Sequence, residues 1–369
     1  MQQRREDNSL RVLGNPGHLV DFASNDYLGF VADPGAPSEP LPAGSSGSRL
    51  ISGNHRWYRE AEEVVRDFHR AEAALIYNSG YDANLGLLSA ILQRGDLIFY
   101  DQYSHASIRD GIRLGNARAC KFAHNDLASL QEKAAQLLKG EARRTGTVYV
   151  VTESVFSMEG DGPDLRALAD YCRQQDFRLI VDEAHAVGIL GPEGRGAVVG
   201  LGLQDAVFAR VVTFGKALGG HGAAVLGSTA LKAYLVNFSR SLIYTTALPP
   251  ASLQSILHGY HRLRGGAGEA ARRALGERVR LFVALVAEKG LSGHIHPGLA
   301  AIHCCHIGGN DRVKAHAALL QQAGFDVKPI LSPTVPEGRE CLRFSLHAFN
   351  SEAEIREVLS ILAKALKGD

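Results

Sequence analysis

At 369 residues, with 45% hydrophobic and 21% charged side chains, the chain has the make-up of a soluble globular enzyme of about two domains, which excludes a disordered or fibrous protein. Forty Lys and Arg nearly cancel 39 Asp and Glu, so no global field draws the protein to nucleic acid or to anionic lipid. Five scattered cysteines fit a reduced, cytoplasmic setting, and no apolar run approaches the ~18 residues of a membrane helix, so neither a secretory leader nor a span is expected.

Taken in chain order, VADPGAPSEPLPAGSSGS (31–48) is dense in Pro, Gly and Ser and reads as a connection. The overlapping GSSGSRLISGNHRWYREAEE (44–63) is a glycine-serine loop entering a helix, and by composition it either cradles a substrate phosphate or simply connects. From about 57 to 240, helical periodicity alternates with short apolar runs, the signature of a layered α/β domain with a mainly parallel sheet. Candidate strands are DLIFYD (96–101), GTVYVVTE (146–153), RLIVDE (178–183) and ARVVTF (209–214). Their near-continuous apolar character predicts cover on both faces, and Leu165, Leu168, Ala169 and Cys172 recur at the spacing of a covering helix. A helix-rich segment, about 250–290, leads to a second unit in which AIHCCHI (301–307) and ECLRFSLHA (340–348) read as strands. Ile355, Val358, Leu359, Leu362 and Leu366 mark a closing amphipathic helix. The HCCH run (303–306) is tempting as a metal site, but successive strand residues point to opposite faces, so its four side chains cannot converge and no metal is expected.

Ligands of parallel sheets sit beyond the carboxyl ends of the strands. Three successive candidate strands end in reactive or polar residues: Thr152 and Glu153, Asp182 and His185, Thr213 and Lys216. Asp182-Glu183-Ala184-His185 resembles the magnesium-holding motif of a helicase, which also needs a loop of the form G-x-x-x-x-G-K-[ST]. That loop is missing, because Gly215-Lys216 is followed by Ala217 and Arg210 stands where its first glycine belongs. The alternative is an organic cofactor. A lysine held at the rim of a sheet is desolvated and nucleophilic toward an aldehyde, as pyridoxal 5′-phosphate requires. That cofactor also needs a carboxylate on its ring nitrogen, for which Asp182 is the candidate, while His185 can reach the phenolic oxygen. Ser79 and Gly80-Tyr81 precede a helical run and offer a phosphate cradle, with Ser157 and Thr213 near strand ends. His105 begins a helix after the strand ending at Asp101, where an imidazole either stacks on the cofactor or merely caps the helix.

These residues resemble the α-oxoamine synthases, pyridoxal-phosphate enzymes of the aminotransferase-like fold type I. The likeness runs from DFASNDYLGF (21–30) to the C-terminal helix. FAHND (122–126), VVTFGKALGGHGAAVLGS (211–228), RSLIYTTALPP (240–250) and SPTVPEG (332–338) are most similar to the biotin-pathway branch of the family. The resemblance implies a large domain whose mixed, mainly parallel sheet is covered by helices, plus a smaller C-terminal α/β domain. The expected boundaries are an arm and linker over 1–45, the cofactor domain over 46–250 and the small domain over 251–369. It implies decarboxylative condensation of L-alanine with a pimeloyl thioester, or, as alternatives, of glycine with acetyl-CoA or serine with a long-chain acyl thioester. Carried over by the resemblance, Lys216 binds the cofactor aldehyde, Asp182 pairs with the ring nitrogen, His185 holds the phenolic oxygen and His105 stacks on the ring. Backbone at Gly80 and Tyr81 and hydroxyls of Ser157 and Thr213 match the phosphate side, with Thr245 or Thr246 supplied by the partner of a homodimer. Asn25 and Glu153 line the substrate site, Arg343 clamps the amino acid carboxylate, and Thr334 lies on the acyl side. Two departures stand out: the stretch between Phe30 and Gly44 is short and proline-rich where relatives usually have a helix, and the N-terminal arm is abbreviated.

Overall fold

The structure is a computed structural model that describes residues 2–10, 13–14, 17–33, 35, 40–139, 146–296, 298 and 301–368. Part of the proline-rich connection, 34 and 36–39, lies outside the described residues. Contacts divide the chain into two units, one of 30–156 and 162–269 and one of 1–29, 157–161 and 270–369. The N-terminal arm therefore groups with the C-terminal residues and not with a separate linker, because its strand β1 (Val20–Asp21) pairs in parallel with a strand at 325–326.

The larger unit is built on seven strands: β2 (Ala73–Tyr77), β3 (Leu97–Asp101), β4 (Arg118–Phe122), β5 (Val148–Glu153), β6 (Arg178–Asp182), β7 (Ala209–Thr213) and β8 (Ala223–Gly227). They lie in the order β2-β8-β7-β6-β5-β3-β4. The run from β4 through β7 is parallel, and β8 is antiparallel to both its neighbours. Alternate residues of the central strands feed two separate cores. Ile98, Tyr149, Val151, Ile180 and Val211 face one layer with Leu87 and Leu88, and Leu97, Phe99, Val150, Leu179 and Val181 face the other with Leu165 and Leu168. Each such side chain contributes about 1.5–3 kcal/mol when fully buried, which is why these strands read as unbroken apolar runs.

The antiparallel return from β7 to β8 places Lys216 in a hairpin connection at the carboxyl end of β7. That connection is held by Phe214 N–H to Gly222 O at 2.9 Å and Gly220 N–H to Phe214 O at 2.8 Å. It turns at Gly219, where φ is +65° and an added Cβ would come within 2.5 Å of the Phe30 backbone.

The smaller unit has a four-stranded antiparallel sheet, β12-β13-β10-β9, made of β9 (Ile295–His296), β10 (Ile302–His306), β12 (Lys328–Ile330) and β13 (Cys341–Ser345), while β11 (Phe325–Asp326) pairs with β1. The helix Glu352–Lys367 opens with a capping box of Ser351 and Glu354 and buries Ile355, Val358, Leu359 and Leu362. The HCCH side chains part as the pleat requires: His303 stacks on Phe282 at 4.7 Å, Cys304 donates to Met158 O and His306 Nε2 lies 3.0 Å from Glu159. Among the described residues no group of three or more His, Cys, Asp or Glu is arranged to hold a metal.

Candidate active site

Parallel pairing puts Glu153 level with Asp182 and Asp182 level with Val211, so the carboxyl ends of β5, β6 and β7 open onto one space. Beyond β6 the chain turns at once, with Asp182 Oδ1 accepting the Ala184 N–H at 2.9 Å. This turn delivers His185, 5% exposed, so that its Nε2 lies 2.6 Å from Lys216 Nζ. Glu183 goes the opposite way. Its carboxylate accepts the Val198 N–H at 2.9 Å, lies 3.8 Å from buried Arg210, and is pushed up by burial while Arg210 opposes that shift. The adjacent acids of Asp-Glu-Ala-His thus serve different places, and they do not converge on one magnesium ion.

Asp182 is 5% exposed and accepts the Asn84 amide at 2.7 Å. Asn84 also reaches Ser107 Oγ at 3.0 Å, and Ser107 Oγ lies 2.8 Å from His105 Nδ1. His105 is the N-cap of the helix Ala106–Leu114, its ring nitrogen accepting the Ser107 N–H, so the cap reading holds. Burial lowers the His105 pKa, the Asp182 carboxylate opposes that shift and the Lys216 cation adds to it. The His105 backbone N–H in turn donates to Glu153 Oε1 at 2.6 Å. Glu153 is pushed up to about 8, first by burial and then by the neighbouring Asp182 charge, with the His105 N–H and Lys216 acting against them. Asp182 and Lys216 act on both His105 and Glu153 in opposite senses, the carboxylate raising and the amine lowering their pKa values.

At the other end Ser79 caps the twelve-residue helix Gly80–Ile91 by accepting the Asp82 N–H at 3.0 Å. The first-turn N–H groups, at Gly80 and Tyr81, have no intrahelical acceptor and form an anion-binding end. Gly80 borders Thr213, whose Oγ1 would meet an added Cβ at 3.8 Å and which donates to Gly222 O at 3.2 Å. Asn78 binds Thr245 Oγ1 at 3.2 Å and Thr246 O at 2.8 Å, so both threonines stand beside this helix start within the same chain. The Tyr81 ring is exposed and its hydroxyl donates to Asp110 at 2.5 Å.

These groups fit pyridoxal phosphate: an amine beside an imidazole for the aldehyde and phenolic oxygen, a buried carboxylate for the ring nitrogen, and a helix N-terminus with a threonine for the phosphate.

The other expected residues belong to the smaller unit. Arg343, on β13 and 8% exposed, donates from Nε to Ser157 O at 2.7 Å, from Nη1 to Ser345 Oγ at 3.0 Å and from Nη2 to Asn25 Oδ1 at 3.0 Å. Tyr27 donates to the same Asn25 oxygen at 3.0 Å, and burial pushes its phenol up to about 12. The guanidinium has five N–H groups, so one on each terminal nitrogen lies outside these bonds. Ser157 enters this cluster through its carbonyl. Thr334 lines a cavity of about 540 Å³ with Arg4, Lys314, Ile330 and Leu331.

Asn84, Ser107 and Asn78 were not singled out by sequence reasoning. Asn84 lies one helical turn after Gly80 and Ser107 two residues after His105, so the spacing to residues already suspected was the available signal.

A family model for aminotransferase class I and II matches residues 17–362. The 8-amino-7-oxononanoate synthase of Emericella nidulans is 38% identical over 398 residues, covering 99% of this chain and 94% of the relative. A putative 8-amino-7-oxononanoate synthase of Geobacillus kaustophilus is 39% identical over 374 residues, covering 99% and 93%. Among solved structures, 8-amino-7-oxononanoate synthase from Francisella tularensis aligns with a TM-score of 0.78 at 29% identity, over 95% of this chain and 98% of that one. A serine palmitoyltransferase from S. paucimobilis with bound PLP–myriocin aldimine aligns with a TM-score of 0.86 at 28% identity, over 94% and 87%. The chain belongs to the aminotransferase class I and II family, of pyridoxal-phosphate fold type I, and within it to the 8-amino-7-oxononanoate synthases.

Proposed function

We infer that the protein condenses L-alanine with a pimeloyl thioester, on coenzyme A or a carrier protein, to give 8-amino-7-oxononanoate, carbon dioxide and the free thiol, a step of biotin formation. The carrying observation is that His185, three residues beyond the buried Asp182 that ends β6, lies 2.6 Å from Lys216, in a chain 38% identical to a named synthase over nearly its whole length. Pyridoxal phosphate, when bound, supplies an aldehyde for the amino acid's amine and a protonated ring that takes up the electrons of the bond broken at the α-carbon.

The chain's own residues do the rest. Asp182 keeps the ring nitrogen protonated, because a buried carboxylate held by Asn84 favours the charged partner. Lys216 Nζ tethers the aldehyde and, once the amino acid has replaced it, takes the proton from the α-carbon. His185 is assigned the phenolic oxygen and His105 the ring face. Gly80, Tyr81, Ser157 and Thr213 are assigned the phosphate. Glu153, with Asn25 lining the substrate, holds a proton at neutral pH and offers it from the oxygen not engaged by the His105 N–H. Arg343 orients the amino acid carboxylate through its remaining N–H groups, a two-pronged hold that a lysine lacks. Thr334 is assigned the acyl side.

The functional protein is proposed to be a homodimer in the cytoplasm, with Thr245 or Thr246 reaching the partner's phosphate. No helix among the described residues is long and apolar enough to cross a membrane.

Thiol release across a panel of amino acids and thioesters tests the reading, with turnover expected for alanine and pimeloyl-CoA. The fold's likeness to a serine palmitoyltransferase favours one competitor, serine with a long acyl thioester, and turnover with that pair but not with alanine overturns our choice. Borohydride is expected to fix the cofactor on Lys216, and a protein that gains no visible absorption with pyridoxal phosphate defeats the whole class.

A further inference from the structure

The hydrogen bonds leading away from Asp182 run in one direction, set by donor and acceptor capacities together with the Ser107 backbone N–H. As a carboxylate, Asp182 only accepts, so the Asn84 atom 2.7 Å from its Oδ2 is the amide nitrogen. The second proton of that nitrogen is aimed at Ser107 Oγ, 3.0 Å away. Ser107 Oγ can accept from two donors, so the direction of its 2.8 Å contact with His105 Nδ1 is fixed by Nδ1 being an acceptor, to which the hydroxyl proton then passes. The Ser107 backbone N–H converges on the same nitrogen at 3.2 Å. Two donors at Nδ1 leave the ring's own proton on Nε2, and a doubly protonated ring would set Nδ1–H against the backbone N–H. Asn84 and Ser107 are 2% and 1% exposed, so water does not interrupt the line.

We propose that Asn84 and Ser107 are positioning residues that lock His105 as the neutral Nε2–H tautomer, making it a hydrogen-bond donor to the reacting substrates and not an acid or a base. This deepens the function inferred above and rests on it only for what the Nε2 proton is offered to. The charged groups acting on the ring are Asp182, Lys216, Arg109 and Asp110, while Glu153 is bound to the residue's own N–H. Asp182 favours a second proton and Lys216 opposes it, and the Ser107 groups that donate to Nδ1 leave no room for a proton there.

Nitrogen-15 spectra of histidine-labelled protein, with and without pyridoxal phosphate, read the tautomer directly, with the His105 signals assigned by their loss in His105→Gln. The expected pattern is a protonated Nε2 and a bare Nδ1 that do not titrate from about pH 6 to about pH 8. Ser107→Ala cuts the line. Its ring is expected to populate the other tautomer or to titrate nearer its ordinary value of ~6.5, with kcat about tenfold lower, KM little changed and a new pH dependence. Ser107→Thr keeps the hydroxyl and is expected to restore the wild-type pattern. A proton on Nδ1 or a doubly protonated ring in the wild type at neutral pH overturns the proposal. So does a Ser107→Ala protein whose tautomer and pH profile match the wild type. The spectra need no thioester, so a wrong acyl substrate leaves them unchanged, and a wrong tautomer leaves the thiol-release panel unaffected.

Discussion

Glu153 is a residue whose cost to the fold should be visible in a pH titration. It is 3% exposed, and burial beside Asp182 raises its pKa from 4.5 to about 8. Between those two values the folded chain holds a proton that the unfolded chain has released, so stability falls as pH rises through that window. Glu153→Gln keeps an oxygen for the His105 N–H and removes the charge. Its melting temperature is expected to exceed that of the wild type by a margin that grows from about pH 4.5 to about pH 8 and then levels. A margin independent of pH in thermal melts would remove the buried-charge account. Asp182→Asn tests the neighbouring carboxylate: kcat/KM is expected to fall roughly 10²–10³-fold while Lys216 still binds the cofactor, checked by rate and visible absorption. Lys216, Asp182 and His185 were legible because polar residues ending apolar strands are conspicuous. Asn84 was not, since an asparagine inside a helix leaves no periodic mark and its meaning comes only from β6 and the Ala106–Leu114 helix arriving on either side.

The same contrast governs whole elements. β5, β6 and β7 are rich in Val, Ile and Tyr and were readable as buried strands, whereas β2 (AALIY) and β8 (AAVLG) open on alanines that carry no strand preference. β4 (RACKF) is an edge strand with mostly exposed side chains, and its charges mask its pairing with β3. Missing β8 also hid that Lys216 lies in a hairpin connection. The turn that follows β6 depends on Gly196, where φ is +98° and an added Cβ would sit 2.7 Å from Glu183 Oε1. Gly196→Ala must strain the backbone or move a buried carboxylate, and it is expected to cost about 2 kcal/mol or more in denaturant unfolding. His185, two residues from Glu183, contacts Lys216 instead, so a stability loss accompanied by normal cofactor absorption separates the supporting acid from the reacting one. At the far end of the chain, Ser351→Ala removes one half of the capping box and is expected to cost about 1 kcal/mol with no effect on turnover.

For the molecule as a whole, the division into units was the least legible feature, because residues 1–29 and 157–161 group with 270–369 through pairings distant in sequence. Local periodicity carries no record of such contacts. The surface of the larger unit bears on assembly. Ile51 and Tyr244 are 85% and 71% exposed, and the segments that carry them are joined by Ala247 N–H to Gly47 O at 3.0 Å. The proposed dimer contact would cover these side chains, and Thr245 and Thr246 directly follow Tyr244 in the chain. If those threonines complete the partner's phosphate site, lesions on different chains must complement. A Lys216→Ala chain paired with a Thr245→Val, Thr246→Val chain gives a mixed dimer in which one site carries both lesions and the other carries neither. The threonine variant alone is expected to bind pyridoxal phosphate roughly tenfold more weakly, the cost of lost hydrogen bonds to a charged group. The mixed dimer is expected to regain one site of wild-type affinity and about half the wild-type rate, measured on co-expressed chains separated by different tags. Should each threonine act within its own chain, the only site with Lys216 would lack the hydroxyls, and no recovery of affinity would be seen.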